Sequence, residues 1–177
     1  MGISTEKRAE TKSISLRLEA PVVSSLRREA GNKEITLNTL CSQIFRTHVG
    51  FTGNAAKAGL IPFPRALLIG LMDKLSDEEI QILAEDIATN EVPDIIYLMR
   101  DRYDSDSFLE VLVSWVRASG FPFNFNTSND KRVLVIQHDM TRKWSLYLAK
   151  MCERVCYDLK GAKPEFQITK NTLVIGL

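Results

Sequence analysis

Two cysteines and a histidine in the last third of the chain are residue types that can hold a metal ion. Cys152 and Cys156 are four residues apart, so they share one face of the helix that the sequence predicts over residues 141–159. With the imidazole of His138 they could form a soft-metal or redox site. The same face carries Leu148, and a buried thiol packs there as a small hydrophobic group. We therefore expect core packing, with no metal and no cofactor.

No other set of residues matches a catalytic motif. The sequence has no P-loop, no glycine-rich dinucleotide loop and no Gly-x-Ser-x-Gly. Its two histidines, His48 and His138, are far apart. His138 and Asp139 end a predicted strand and could form a pH-sensitive or ligand-facing pair, although a histidine in that position is more often a surface or capping residue. We expect a protein that is not an enzyme.

Several aromatic residues in the C-terminal half could line a pocket for a small apolar or aromatic ligand. A hydrophobic core explains most of them as well, and the three phenylalanines alternate as the inward face of a strand would. A small-molecule effector is therefore one candidate partner. The residues are Trp115, Phe121, Phe123, Phe125, Trp144 and Tyr147.

The composition is that of an ordinary globular protein. Of 177 residues, 45% are apolar and 25% charged, which excludes a wholly disordered or collagen-like chain. The apolar runs are shorter than the roughly 20 residues that a membrane helix needs, so we expect no membrane partner. Residues 1–12 contain no apolar segment typical of a secretory signal. Three cysteines without such a signal predict reduced thiols and a cytoplasmic location.

Charge is distributed unevenly along the chain. The net charge is +3 over residues 1–50, −8 over residues 60–110 and +5 over residues 111–177. The basic pairs Lys131–Arg132 and Arg142–Lys143 could contact DNA phosphates, but a solvated turn and a helix start explain them more simply. The acidic middle would repel DNA.

The C-terminal part is predicted to be helical first and then mixed. Helices are expected over 66–75, from a Ser76–Glu79 capping box onwards, and, after Pro93, over 94–103 and 106–119. The next elements form the order ββαββ, with a turn at Ser128–Asp130 and a last hairpin over 165–169 and 172–177. Two antiparallel hairpins joined by a helix predict an α+β fold.

The first fifty residues change from a strand pattern to a helix pattern. Residues 13–18 alternate, with Ile14, Leu16 and Leu18 on one side. Pro21 suits the start of a helix, and Gly31 is a plausible end. Thr36 is a candidate N-cap for a second helix. About 40 residues cannot bury a core alone, so this unit needs a partner chain.

This arrangement resembles the ribbon-helix-helix family of DNA-binding proteins, to which the Arc and methionine repressors belong. The resemblance covers residues 12–50 and is carried by the run Ser13–Leu18, the helix led by Pro21, Gly31, and Thr36–Thr39 at the start of the second helix. It implies that two chains pair their strands into one antiparallel ribbon, which lies in the major groove of double-stranded DNA.

The resemblance also implies which residues contact DNA. The outward side chains of the ribbon, which contact bases, would be Ser13, Ser15 and Arg17. Arginine can bond guanine O6 and N7 together, and serine can donate or accept at either type of base pair. The start of the second helix would bind a phosphate, because free backbone N–H groups attract anions. The residues expected at phosphates are Lys12, Thr36, Asn38 and Thr39.

These patterns predict four segments: a flexible tail (1–12), a DNA-binding head (13–50), a linker (51–64) and a C-terminal α+β domain (65–177) for effector sensing or oligomerisation. The leading hypothesis is a sequence-specific transcriptional regulator, a homodimer or tetramer. The alternative is an antitoxin-like protein that binds its own promoter and wraps a partner protein. An enzyme with an incidental basic head is the third.

Overall fold

The computed structural model describes residues 11–128, 131–161 and 163–177. Within them the chain forms helices and one antiparallel sheet, so the predicted α+β class is confirmed. It divides into two compact units, Met1–Gln43 and Ile44–Leu177. The predicted flexible tail, except for Thr11 and Lys12, and most of the turn predicted at Ser128–Asp130 lie outside the described residues.

The first unit contains α1 (Ala20–Asn32) and most of α2 (Leu37–Thr47). Thr36 caps α2 as predicted, because its hydroxyl accepts a hydrogen bond from the Thr39 N–H at 3.0 Å. The observed end of α1 lies one residue beyond the predicted end at Gly31. The helix continues to Asn32, and the residue that turns the chain with a positive φ is Glu34, at 54°.

The segment predicted as a strand forms none in the single chain. Residues 11–19 have neither helix nor strand structure, and Ile14, Leu16 and Leu18 are 71%, 56% and 49% exposed. A strand is stabilised only when another strand takes its backbone hydrogen bonds. In the predicted ribbon that partner belongs to a second chain.

The start of the second unit differs from the predicted linker. After α2 the chain makes a π-helical turn, His48–Thr52, and a short helix α3, Gly53–Ala55. Phe51 is buried in the core, and Ala55, Ala58 and Leu60 pack against it. Residues 51–60 are therefore packed structure and not a free connector, because their few apolar side chains find a hydrophobic surface to cover.

Four helices follow: α4 (Arg65–Met72), α5 (Asp77–Asn90), α6 (Val92–Arg100) and α7 (Ser105–Ala118). The predicted capping box is present, since Ser76 and Glu79 each accept a hydrogen bond from the other's backbone N–H. Pro93 starts α6 instead of merely interrupting a helix. Gly120, at φ 68°, lets the chain leave α7 towards the sheet.

The remainder is the predicted ββαββ unit: β1 (Phe123–Ser128), β2 (Lys131–Gln137), α8 (Arg142–Asp158), β3 (Glu165–Ile168) and β4 (Thr172–Gly176). The strand order is β1-β2-β4-β3, and every neighbouring pair is antiparallel. The two hairpins are therefore joined through their second strands. This places the most apolar strands, β2 and β4, in the centre of the sheet.

One face of the sheet contributes to the core. Leu134 and Ile136 of β2 lie opposite Ile175 and Leu173 of β4, and all four are fully buried. Phe125 shares this face, opposite Leu134, but it is exposed because β1 is an edge strand. Only part of the predicted phenylalanine face is therefore buried. No helix among the described residues is long and apolar enough to cross a membrane.

The capping box generates a stability prediction. Ser76→Ala removes the acceptor for the Glu79 N–H and should lower the free energy of unfolding by about 1 kcal/mol in urea titrations. Ser25→Ala, in the exposed middle of α1, is the control and should not lower it, because alanine is the better helix former in that position. Equal effects of the two substitutions would contradict a stabilising cap at Ser76.

Candidate functional site

The residues predicted to contact bases are accessible in the first unit. Ser13, Ser15 and Arg17, together with Lys12, are exposed. They alternate along the sequence with the exposed Ile14 and Leu16. The segment thus carries polar and apolar side chains in alternation, with neither set covered in the single chain.

The predicted phosphate site lies at the start of α2. Thr36, Asn38 and Thr39 are exposed there. The Thr36 hydroxyl is engaged with Thr39, whose N–H and hydroxyl lie at 3.0 and 2.8 Å. The Thr36 hydroxyl already accepts the hydrogen bond of the Thr39 N–H. The backbone N–H groups of Leu37 and Asn38 are therefore the donors of the first turn that can still bind an anion. Thr36 therefore organises this helix end instead of simply presenting its hydroxyl.

The first unit buries little apolar surface. Ala30 and Leu40 are its only fully buried residues within the described part of Met1–Gln43. Ile44 and Phe45, which belong to α2 and directly follow the first unit in the chain, are exposed as well. Large apolar side chains left in water favour association, since covering them gains free energy.

His138 is a buried structural residue and not a surface residue. The Met140 N–H donates to its Nδ1 at 3.0 Å, so the ring proton is on Nε2, which lies 2.7 Å from the Ser145 hydroxyl. That hydroxyl donates in turn to the Thr169 carbonyl at 2.9 Å. Burial lowers the pKa of His138, although the nearby Asp139 opposes the shift. A neutral imidazole therefore ties β2 to α8 and to the β3–β4 turn.

The cysteine candidates are separated from this histidine. His138 bonds Ser145 in the first turn of α8, whereas Cys152 lies two turns, roughly 10 Å, further along the helix. Cys152 and Cys156 are both buried, and burial raises the pKa of their thiols. In the described ranges no three His, Cys, Asp or Glu residues are placed to hold a metal ion. Both thiols pack as core side chains.

An aromatic cavity of about 570 Å³ lies within the second unit. Trp115, Phe121 and Trp144 form part of its wall, and the two indole rings are 6.3 Å apart. Phe123, Phe125 and Tyr147 do not line it. Tyr147 stacks on Trp144, with ring centroids 5.3 Å apart, and burial raises the Tyr147 pKa to about 12.

The rest of the lining includes residues of the segment predicted to be a linker. Phe51, Leu60, Ile61 and Phe63 belong to this part of the lining. Among the described residues of the wall, Arg65, the first residue of α4, is the one that carries a charge, and its guanidinium carbon lies 5.3 Å from the Phe121 ring centroid. The sequence signal was the set of large apolar residues among the glycines and prolines of this segment.

Three cations of the predicted basic pairs, Arg132, Arg142 and Lys143, are occupied by contacts within the second unit. Arg142 is 2.7 Å from Asp77, and Arg132 is 2.7 Å from Asp106. The Lys143 ammonium donates to the carbonyls of Asp73 and Leu75, at 3.2 and 2.6 Å. These contacts favour a structural role for the three cations over a role in binding DNA phosphates.

Neither the models of protein families nor the curated proteins nor the solved structures contain a match to this chain.

The buried histidine generates a pH prediction. Because the folded state disfavours the charged ring, stability should fall as the pH drops below the ordinary histidine pKa of about 6.5, where the unfolded chain takes up the proton. In His138→Gln this contribution is absent, so unfolding midpoints measured between pH 7.5 and about 5 should depend less on pH. Identical pH profiles for the wild type and His138→Gln would contradict the argument.

Proposed function

We propose that the chain is a dimeric, sequence-specific DNA-binding transcriptional regulator. Its head (residues 13–50) would act as a ribbon-helix-helix unit, and its second unit would sense an effector or join dimers into tetramers. The observation that carries the proposal is the exposed alternation of residues 13–18, where three large apolar side chains remain uncovered. A second copy of the same segment can cover them.

The proposed dimer accounts for both sides of this segment. Pairing two copies in antiparallel fashion gives the backbone of residues 13–18 its missing hydrogen-bond partners. Ile14, Leu16 and Leu18 would then face the helices of the dimer, where Ile44 and Phe45 offer further exposed apolar surface. Because side chains alternate along a strand, Ser13, Ser15 and Arg17 would face away from that core.

The outward residues suit the major groove of DNA, which is wide enough for a two-stranded ribbon. Arg17 would bond guanine, and the two serines would supply adaptable donors and acceptors. The free N–H groups of Leu37 and Asn38 at the start of α2 would hold a backbone phosphate, which fixes the position of the ribbon. The net charge of −8 over residues 60–110 disfavours contact between the second unit and DNA.

Dimerisation can be tested at the centre of the apolar row. Leu16→Glu places a charge where the proposed core would be dry, so the variant should sediment at half the mass of the wild type: a monomer of 20.0 kDa if the wild type is a dimer, or a dimer if the second unit joins wild-type dimers into tetramers. Ile82→Glu is the matched control, because Ile82 is a comparably exposed apolar residue on α5. A monomeric wild type, or a Leu16→Glu variant with the same mass as the wild type, would refute the shared core.

Base contact and phosphate contact can be separated by selecting duplexes from a random-sequence pool. The wild type should enrich one sequence motif and release DNA steeply as salt rises. Arg17→Ala should lose about 1–3 kcal/mol of discrimination per base contact, whereas Asn38→Ala should weaken all duplexes about equally. Arg28→Ala removes an exposed positive charge from α1 and serves as the control.

Two results would overturn the proposed function. The first is a wild-type protein that enriches no sequence, because the ribbon would then not contact bases. The second is an Arg17→Ala variant that selects the same motif with unchanged discrimination. A partner protein that co-purifies and blocks DNA binding would instead support the antitoxin-like alternative.

A further inference from the structure

We propose that the aromatic cavity of the second unit binds a small apolar molecule with one anionic group, of the class of aromatic carboxylates and sulfonates. As an effector site this inference rests on the proposed function. The binding event itself involves only residues of the second unit, so it can be measured without DNA.

The shape and lining of the cavity suit an aromatic ligand. At about 570 Å³ it lies within the range of small-molecule sites. Rings of Trp115, Phe121 and Trp144 form one wall, and these can stack against a planar ligand. Ile61 and Phe63 are 67% and 52% exposed, although both line the cavity. A bound apolar molecule would remove this surface from water.

The charge of the cavity indicates an anion. In the part of the wall that the structure describes, Arg65 is the one charged residue, and no carboxylate accompanies it. Among the described residues no Asp or Glu forms an ion pair with Arg65; its recorded contact is the face of Phe121. An unneutralised guanidinium beside apolar rings can accept a carboxylate or sulfonate in two parallel hydrogen bonds.

Trp144 supplies apolar surface to the cavity and no accessible polar group. The residue lines the cavity and is more than nine-tenths buried. Its Nε1 has no hydrogen-bond acceptor among the described residues, but the atom is closed to solvent, so a ligand in the cavity could reach this N–H only if Trp144 moved. The indication of an anion therefore comes from Arg65.

A groove beside α7 also contains guanidinium groups, but most of them are paired with carboxylates. Four arginines line this groove; Arg100 and Arg102 both pair with Glu110, and Arg132 pairs with Asp106. Arg117 alone resembles Arg65, since its guanidinium lies 5.5 Å from the ring of Phe123. It lies outside the aromatic cavity, which makes it the matched control.

The cavity is also placed to report to the head through the chain itself. Phe51 and Thr52 line it, and they belong to the π-helical turn that continues directly from α2. Turns of this kind inside helices are frequent at functional sites. A ligand that contacts this turn would therefore contact the residues that directly follow α2, and no other element would be needed to transmit its effect.

Two probes that differ only in charge test the proposal. 1-Anilinonaphthalene-8-sulfonate has an aromatic skeleton and one anionic group, and N-phenyl-1-naphthylamine is the same skeleton without the sulfonate. Titration into the full-length wild type should quench the emission of the chain's two tryptophans, both of which line the cavity. Sensitised emission from the bound probes should appear at the same time.

Substitutions then distinguish the contribution of the Arg65 charge to probe binding from that of the apolar lining. Arg65→Gln should raise the dissociation constant of the sulfonate about tenfold or more, because a charged hydrogen-bond partner is lost, and leave that of the neutral probe nearly unchanged. The neutral probe thus also reports that the variant is folded. Arg117→Gln should leave both constants unchanged, and so should Leu16→Glu, which alters only the apolar row of the head.

Several outcomes would overturn the inference. It fails if the sulfonate binds Arg65→Gln as it binds the wild type, if both probes weaken equally in that variant, or if Arg117→Gln has the same effect. It also fails if neither probe quenches tryptophan in the wild type. If Leu16→Glu loses DNA binding but still binds the probes, the result supports this ligand site. If the wild type does not bind DNA, the result contradicts only the proposed function.

Discussion

The second unit depends on the burial of helix α8. The helix packs along α5 on one side and against β3 and β4 on another, and Leu148, Cys152 and Val155 are fully enclosed as a result. Because a helix held on two sides can neither rotate nor slide without opening the core, its first turn is fixed in position. That turn carries Trp144, which forms a wall of the aromatic cavity.

Polar contacts at the start of α8 complete this positioning. The chain of hydrogen bonds from His138 through Ser145 to Thr169 is satisfied at every atom named, so it can lie in an apolar interior without a large desolvation cost. Lys143 donates to carbonyls that follow the end of α4, the helix that begins with Arg65. The charged residue and the indole of the cavity are thus placed by elements that are tied to each other.

The first unit, in contrast to the second, buries little of its apolar surface. It has a capped helix and a defined turn, but only Ala30 and Leu40 are fully buried within its described residues. The apolar row of residues 13–18 gains nothing from folding until another surface covers it. A unit built in this way is expected to be completed by association, whereas the second unit already has a core of its own.

The sequence by itself determined the local structure. Alternation and helical periodicity predicted the ββαββ order, and side-chain chemistry at Ser76 and Thr36 predicted two helix starts, because these features depend on residues only a few positions apart. The tertiary structure alone decided the cavity, since Arg65 and Phe63 meet Trp115 and Trp144 only after α4, α7 and α8 have packed. It also decided that His138 is buried and bonded through both ring nitrogens. No pattern of neighbouring residues predicts the cavity or the burial of His138, because burial and the hydrogen-bond partners of a polar atom are set by residues distant in the chain.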